Sequence, residues 1–360
     1  MPGRRAPAAP VDHSLCRRCQ LSEPAITVRT EPLCAACFSR YVSTKVVKRM
    51  ESFRVRHLEP GDERVLLLPL SFGPCSTALL HVLSHQLKGQ AEKTSRTGYK
   101  LHVLHVECGN AATDSLLSKV RERYPEHVFS SCSLSDVLAV DGVPELFQQD
   151  PSSGQLEQEQ GGSSPQGSLD SMFASLNSPT ARDDLKQILI QKLVVAFAKQ
   201  NNCEAVLWGD SATRLAERTL AETAKGRGAS LPWVVADGDM LYGVPFYYPM
   251  RDLLRKEITA FASYVEPALE DIIVSEAVKP AVSTKNTTID DLMKQYFESV
   301  EQEYPSIVAN VVKTTSKLQA TSLQGVETQC ELCNVPLDGQ APERSRLCYG
   351  CIRTLPHLSS

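Results

Sequence analysis

The predicted architecture of the chain rests on one segment, Val65-Leu66-Leu67-Leu68-Pro69-Leu70-Ser71-Phe72-Gly73-Pro74-Cys75-Ser76-Thr77. It begins with an apolar run of strand length, turns through small residues, and continues into a helix-like segment. After a buried parallel strand, such a turn points backbone N–H groups at an anion, and the following helix adds its positive end. The layout is typical of a phosphate-binding loop at the edge of an α/β sheet.

Three positions in this turn weaken the expected phosphate chemistry. Phe72 stands where close approach of a phosphate favours glycine, Pro74 has no N–H to donate, and Cys75 supplies no carboxylate for a metal or a ribose. The residues that keep the small or hydroxyl-bearing character of the loop are Ser71, Gly73, Ser76 and Thr77.

Strand-like and helix-like segments alternate outward from this turn. Strands are predicted over 65–70, 101–106, 127–130 and 205–208, and helices over 76–87, 114–124 and from about 181 onward. Such alternation predicts a parallel sheet covered by helices on both faces, with ligands at the carboxyl ends of its strands. The strand at 205–208 delivers its following residues to the same sheet edge as the Ser71 turn.

Two motifs at that edge carry a resemblance to a known fold family. The first turn resembles Ser-Gly-Gly-x-Asp-Ser, the pyrophosphate-binding signature of the PP-loop ATPases that adenylate tRNA bases. The segment 209–220 resembles the Gly-His-Asn-x-Asp-Asp-x-Ala-Glu-Thr block of the tRNA thiolases in that family. Asp210-Ser211 replaces His-Asn and Thr213-Arg214 replaces Asp-Asp, while the block keeps Gly209, Ala216, Glu217 and Thr219. The resemblance implies an α/β PP-loop core, like the adenine nucleotide alpha hydrolases, whose nucleotide-facing residues, including Gly209 and Asp210, are degenerate.

A third segment, 247–258, resembles the proline-containing segment before the Lys-Glu-Ile helix of tRNA thiolases. Lys256-Glu257-Ile258 matches it directly. An ordinary helix start after Pro249, with Asp252 as its cap, explains the same residues equally well.

The two ends of the chain carry paired cysteines with the same spacing. Two C-x-x-C pairs can bind one ion as a closed tetrahedral sulfur site, and the absence of an apparent secretory signal favours metal ligands over disulfides. The expected ligands are Cys16, Cys19, Cys34 and Cys37 for one structural zinc, and Cys330, Cys333, Cys348 and Cys351 for a second. Iron also accepts such ligands.

Two basic segments are candidate RNA contacts. A helical pattern over 39–58 places basic residues beside the first cysteine quartet, and the composition of 225–228 predicts a mobile Gly-rich loop. Phosphate neutralisation needs such clustered cations, but a solvated helix face and a solvated turn remain open alternatives. The candidates are Arg40, Lys45, Lys48, Arg49, Lys225 and Arg227.

The composition argues against two classes of protein, uniformly basic nucleic-acid binders and membrane-spanning proteins. The 360 residues have a formal net charge of −4, which argues against a uniformly basic nucleic-acid binder but allows a local basic patch. No apolar run reaches about eighteen residues, so a membrane-spanning helix is not expected. The domains predicted are 1–58, a zinc-ribbon-like module with a basic helix; 60–147, half of the core; 148–180, a flexible Ser/Gln/Gly/Pro insertion; 181–285, the other half; 286–325, helical; and 326–360, a second zinc-ribbon-like module.

Together, the quartets, the altered loop, the insertion and the 209–220 block resemble the cytoplasmic tRNA 2-thiolation protein 2 family over nearly the whole chain. This implies a cytoplasmic tRNA-binding subunit that pairs with a catalytic PP-loop paralogue. The pair would thiolate the wobble uridine of tRNAs for Lys, Glu and Gln, with sulfur from a thiocarboxylated ubiquitin-like carrier. The altered turn argues against ATP binding by this chain.

The cysteines of the core bear on whether this chain is a non-catalytic subunit or an active sulfurtransferase. Active relatives carry a C-x-x-C pair and a further Cys in the core, whereas this core has isolated Cys75, Cys108, Cys132 and Cys203. A lone Cys is more often a buried apolar residue than a nucleophile. The alternatives are a self-sufficient ATP-dependent sulfurtransferase that uses Cys75 or Cys132, and a zinc-ribbon interaction protein without a tRNA role.

Overall fold

The structure is a computed structural model that describes residues 12–59, 61–109, 112–144, 165–238, 241–274, 286–318, 328–337 and 339–355. Its strands are β1 (Ile26–Val28), β2 (Glu31–Leu33), β3 (Val65–Pro69), β4 (Lys100–Glu107), β5 (Val128–Ser133), β6 (Ala205–Leu207) and β7 (Phe246–Tyr247). Its helices are α1 (Ala35–Arg49), α2 (Pro74–Thr94), α3 (Ala112–Arg123), α4 (Pro165–Ser175), α5 (Pro179–Gln200), α6 (Ala212–Ala224), α7 (Leu231–Val234), α8 (Arg255–Tyr264), α9 (Ile289–Glu303), α10 (Pro305–Thr315) and α11 (Tyr349–Thr354).

A five-stranded parallel sheet with the order β5-β4-β3-β6-β7 forms the centre, which confirms the predicted α/β class. Leu66 in β3 is paired with Leu101 on one side and Ala205 on the other. The strand order reverses between β3 and β6, and ligands bind parallel sheets at such a switch point. The Ser71 turn and the residues after β6 meet there.

Both faces of the sheet are buried, because successive side chains of a strand point in opposite directions. Leu66 and Leu68 join the apolar cluster that α1, α2 and α8 build on one face. Leu67 joins the cluster that α5, α6, α9 and α10 build on the other. A continuous run of leucines is therefore what this central strand requires.

The N-terminal module consists of the β1–β2 hairpin and α1. Helix α1 begins after Cys34 and ends at Arg49, and two single 3₁₀ turns follow it up to His57. The helix predicted over 39–58 therefore starts and ends earlier in the structure than its apolar spacing indicates. The apolar stripe itself is confirmed, since Val42 and Val46 are fully buried.

The predicted flexible insertion is wrong for its second half. Residues 145–164 lie outside the described residues, but 165–175 form α4, and Leu169 is 2 % exposed in an apolar cluster with α5. Helix α5 then begins after Ser178, whose hydroxyl accepts a hydrogen bond from the Ala181 N–H at 3.0 Å.

The C-terminal part begins with two helices that share one face. Pro305 separates them, because it starts α10 directly after the end of α9. Both helices pack on α6. Among the described residues, no helix is long and apolar enough to cross a membrane.

Candidate functional site at the carboxyl edge of the sheet

A cavity of about 1090 Å³ lies at the switch point of the sheet. The Ser71 turn, the ends of β4 and β6, and helices α5 and α6 supply most of its wall. Residues 332–335 of the C-terminal cysteine module close one side. The nucleotide motifs predicted from the sequence therefore do converge on one cavity, as the topology requires.

The first turn satisfies its own polar groups. The Ser71 and Ser76 hydroxyls lie 3.1 Å apart, and the Ser76 hydroxyl also accepts a bond from the Ser71 N–H at 3.3 Å. The Gly73 N–H points at the Ser71 hydroxyl at 3.4 Å. Side-chain oxygens therefore accept from the Ser71 and Gly73 N–H groups, the kind of group that binds phosphate in a phosphate-binding turn. The nearby Thr77 hydroxyl is buried without a hydrogen-bond partner among the described residues.

Phe72 adopts the backbone conformation of a glycine while burying a large ring. Its φ is +58°, in the left-handed region that non-glycine residues rarely adopt. The ring is fully buried against the imidazole of His105, and the Phe72 carbonyl accepts the Val274 N–H at 2.9 Å. The turn is thus anchored into the core where a ligand-binding loop keeps its backbone accessible.

The second motif packs directly against the first. A Cβ on Gly209 would lie 2.7 Å from the Ser76 Cα, so only glycine allows β6 to end this close to the start of α2. Asp210, which stands in place of the thiolase His, binds the Arg218 guanidinium at 2.8 Å. Gly209 is explained by packing, and Asp210 by an internal ion pair.

The residues that replace the paired thiolase aspartates also serve the chain itself. The Thr213 hydroxyl donates to Glu301 at 2.6 Å and accepts the Arg255 N–H at 2.9 Å. Arg214 and Arg255 both contact the buried carboxylate of Glu217, at 3.3 and 2.8 Å. Their charges are therefore compensated by this chain's own carboxylate.

The two thiols considered for sulfur transfer are held in the protonated form. Burial raises the pKa of Cys75 to about 12, and the carboxylates of Asp210 and Glu217 add to the increase. Burial also raises the pKa of Cys132 to about 11, with Asp136 contributing. The nucleophile and metal ligand is the thiolate, so neither environment activates its thiol. Cys203 is buried in an apolar cluster, as expected for a small apolar residue.

Each cysteine quartet is gathered around one point. Within each quartet the four sulfurs lie within 4.8 Å of one another, and the two quartets are the only such groups among the described residues. The Cys19 and Cys34 sulfurs are 3.8 Å apart, and the Cys333 and Cys348 sulfurs are 3.7 Å apart. Zn–S bonds of about 2.3 Å in a tetrahedron place sulfurs about 3.8 Å apart, so the residues fit a tetrahedral metal ion.

The two quartets are built alike. In each, the residue after the first C-x-x-C pair, Gln20 or Asn334, has a positive φ, and its N–H bonds back to the carbonyl of the first cysteine. In each, the third cysteine, Cys34 or Cys348, immediately precedes a helix. The repeated spacing in the sequence is a repeated local structure.

Lys225 and Arg227 are not on a mobile basic loop, and that prediction is wrong. Both are about 95 % buried: Lys225 contacts Asp184 and Glu222, each at 2.9 Å, while Arg227 contacts Asp184 at 2.9 Å and Glu222 at 2.5 Å. Burial alone would raise the pKa of Asp184, but the Arg227 and Lys225 charges outweigh it and hold that pKa below its usual value. These cations bind carboxylates within the chain.

The basic residues of α1 are divided. Arg40 and Lys48 are exposed, and the Lys45 ammonium lies 5.4 Å from the Tyr41 ring centroid. Arg49 instead binds the Asp252 carboxylate through two hydrogen bonds of 2.6 and 2.8 Å. Asp252 is accordingly not a helix cap, because α8 begins only at Arg255.

Sequence reasoning missed Asp184 and Glu222. Glu222 stands three and five residues before Lys225 and Arg227, a spacing that indicates local ion pairs. Asp184 reaches them from a distant helix, and no local signal marks it.

Known proteins resemble this chain in both sequence and fold. A family model described as "Cytoplasmic tRNA 2-thiolation protein 2" matches residues 288–346. Relatives of that name from Phaeosphaeria nodorum and Pyrenophora tritici-repentis are 44 % and 42 % identical, covering 99 % and 100 % of this chain and 98 % and 99 % of theirs. Among solved structures, the U34-tRNA thiolase NcsA from Methanococcus maripaludis, solved with its 4Fe–4S cluster, covers 95 % of both chains with a TM-score of 0.58.

The likeness to the thiolase, at 14 % identity, shows the PP-loop thiolase fold. The likeness to the sequence relatives extends over nearly the full length of both chains and is far closer. The chain therefore belongs to the cytoplasmic tRNA 2-thiolation protein 2 family.

Proposed function

We propose that this chain is the tRNA-binding, non-catalytic subunit of a cytoplasmic complex that 2-thiolates the wobble uridine of tRNAs for Lys, Glu and Gln. A paralogous PP-loop subunit activates the uridine with ATP, and a thiocarboxylated ubiquitin-like carrier supplies the sulfur. The family name supports tRNA 2-thiolation and a cytoplasmic location. The division of labour between the subunits is inferred from the geometry of the crevice.

The observation that carries the non-catalytic role is the self-occupied phosphate loop. Ser71 and Ser76 bond to each other, Phe72 is anchored in the core, and Pro74 has no N–H. The arginines Arg214, Arg218 and Arg255 are each bound to a carboxylate of this chain. An incoming triphosphate would have to break these contacts before binding, which opposes ATP activation here.

A cluster or a reactive thiol for sulfur transfer is equally unsupported in the core. The core thiols Cys75, Cys108 and Cys132 do not form a ligand group within 4.8 Å in the described part of the chain. Burial raises the pKa of each of them. The sulfur chemistry is therefore assigned to the partner subunit.

We assign a structural zinc ion to each terminal quartet. Four thiolates leave no open coordination position, so the ion fixes the local chain without taking part in the reaction. In the N-terminal module this fixes the hairpin against the start of α1. The exposed residues Arg40 and Lys48 then project from a rigid support, as phosphate binding requires.

Reconstitution tests the proposal. The chain alone, the paralogue alone and their mixture are supplied with tRNA, ATP and a sulfur donor, and pyrophosphate and 2-thiouridine are measured, the latter by mass spectrometry. Pyrophosphate and 2-thiouridine are expected only in reactions that contain the paralogue. This chain should bind tRNA even when the paralogue is absent. Thiolation by this chain alone would favour the self-sufficient sulfurtransferase. Normal thiolation by the paralogue without this chain, with no tRNA binding here, would favour an interaction protein.

The core thiols give a sharper control within the same assay. Cys75→Ser and Cys132→Ser should leave thiolation by the mixture within about twofold, since neither thiol is activated. A loss of thiolation in a variant that retains its fold and its partner would return that thiol to the catalytic mechanism.

A further inference from the structure

The C-terminal cysteine module is a wall of the crevice, whereas the N-terminal module is not. Leu332, Cys333, Asn334 and Val335 line the same cavity as the Ser71 turn, and the four cysteines of the N-terminal quartet, all of them described, do not. The two metal sites are alike in local structure but differ in what they are attached to.

The module is attached to the rest of the chain at Gly350, which lies against the 225–227 segment. A Cβ on Gly350, inside the last C-x-x-C pair, would overlap the Arg227 Cγ and lie 3.0 Å from the Lys225 carbonyl oxygen. Helix α11 therefore packs against the 225–227 segment with no room for a side chain at Gly350. No larger residue than glycine permits this approach.

A second attachment is a hydrogen bond to the buried charge cluster formed by Asp184, Lys225 and Arg227. The Thr354 hydroxyl, at the end of α11, donates to Asp184 at 2.7 Å. Asp184 is the same carboxylate that binds Lys225 and Arg227, and Lys225 also contacts Asp290 at 3.1 Å. A buried carboxylate needs its full set of donors, so Thr354 completes the pairing of this cluster.

Helix α5 holds the module at a second point. Lys192, on the same helix as Asp184, donates to the Asn334 side chain at 3.2 Å. Asn334 directly follows the proposed ligand Cys333. One helix thus binds both halves of the module, its knuckle and its helix.

Helix α11 has six residues, and a helix so short is not stable by itself. Its start is fixed by Cys348 and Cys351, which are fully or nearly buried. We propose that metal binding by the C-terminal quartet and closure of the crevice are coupled through Gly350, Thr354 and Asp184, so that release of the metal opens this wall. The N-terminal quartet has no such effect.

Coupling is reciprocal, so it can be measured from both ends. From the metal end, Cys348→Ser with Cys351→Ser should increase hydrogen exchange in segments 184–192 and 225–230 and permit tryptic cleavage after Arg227. The matched control, Cys34→Ser with Cys37→Ser, should leave both segments protected. Equal exchange in the two double variants would overturn the proposal.

From the crevice end, Thr354→Val and Thr354→Ser form a pair that keeps every cysteine. The Val variant loses the hydrogen bond to a charged acceptor, so it should release metal to a chromogenic chelator roughly tenfold faster. The Ser variant keeps the hydroxyl and should release metal at the original rate. If the Val and Ser variants behave alike, Thr354 does not transmit the coupling and the proposal fails.

The inference rests on the proposed metal binding at this quartet, and metal content is therefore measured first. A purified chain that holds no C-terminal metal would refute that binding. A chain that holds metal but keeps the crevice closed after chelation would refute only the coupling. The tRNA role is not involved in either readout.

Discussion

The ring of Phe72 lies 4.8 Å from the imidazole of His105, centroid to centroid, beneath a turn that resembles a phosphate-binding loop. This contact anchors the turn in the apolar core, because the ring is fully buried. A left-handed backbone, which costs a non-glycine residue of the order of 1 kcal/mol or more, is retained because the ring is buried.

Phe72→Gly tests this exchange. Removing a buried phenyl ring costs about 3–5 kcal/mol, and relief of the left-handed φ returns about 1 kcal/mol. We expect a net loss of about 3 kcal/mol in the free energy of unfolding, measured by urea denaturation. Phe72→Leu, which keeps the left-handed φ and much of the apolar volume, should lose less. A Gly variant as stable as the parent would show that the ring does not hold the turn.

Gly209→Ala should separate the end of β6 from the start of α2, because its Cβ would meet the Ser76 backbone at 2.7 Å. We expect a loss of about 2 kcal/mol or more in stability, the typical cost of overpacking. Gly89→Ala is the matched control: Gly89 lies inside α2 with open space at its Cβ, so alanine should stabilise by about 0.5–1 kcal/mol. Opposite signs are expected, and a shared sign would contradict this view of Gly209.

The sequence was informative where the decisive interactions are local. The Leu66–Leu68 run and the Ser71 turn follow one another along the chain, so period and turn chemistry predict the strand, the turn and the parallel sheet. The cysteine quartets are also readable, because each knuckle is formed by neighbouring residues. The metal-ligand spacing needs no knowledge of the rest of the fold.

The sequence misled where the partner is distant. Lys225 and Arg227 look like a solvated basic loop, because nothing near them shows that Asp184 lies opposite. Helix α4 was hidden for another reason: Leu169 is an apolar residue in a Ser/Gln/Gly-rich region, and composition averaged over the region conceals its burial. The sheet edge could be predicted, but the internal ion pairs that occupy it required the three-dimensional structure.

Acid should weaken the fold through His81. Burial lowers its pKa to about 3, and the charges of His85 and Arg123 add to the decrease. The unfolded chain, with a His pKa of about 6.5, binds the proton more readily than the folded chain. The contribution of neutral His81 to the free energy of unfolding is therefore fully present above about pH 6.5 and is lost as the pH decreases toward about 3. His81 alone should cost about 2 kcal/mol at about pH 5 relative to about pH 7.

His81→Gln removes this titration while keeping a polar group near the Tyr124 hydroxyl, which lies 3.0 Å from the imidazole. The loss of stability between about pH 7 and about pH 5, measured by urea denaturation, should be smaller in this variant than in the parent. His13→Gln makes the same substitution at an exposed position and controls for the exchange of a histidine for a glutamine. Equal pH dependence in all three chains would remove His81 from the explanation.

The buried charge cluster should be costly to break. Asp184→Asn leaves Lys225 and Arg227 buried with one carboxylate fewer, and such losses typically cost about 3–5 kcal/mol. Glu31→Gln, in the half-exposed pair with Arg18 at 3.4 Å, should change stability by no more than about 1 kcal/mol. Thermal and urea unfolding of both variants measure the contrast. A small effect of Asp184→Asn would mean that water reaches the cluster.

The exposed basic residues of α1 should contribute to tRNA binding. Arg40 and Lys48 are exposed, whereas Arg49 is bound to Asp252. Arg40→Glu with Lys48→Glu should weaken tRNA binding and lower the slope of log K against log salt by about 1 for each phosphate that the variant no longer neutralises. Lys88→Glu with Lys93→Glu makes the same charge change on an exposed face of α2 and should alter neither quantity beyond a weak long-range effect. Because the net charge changes equally in the two double variants, a difference between them reports the location of the RNA, and equal losses of affinity would place the RNA elsewhere.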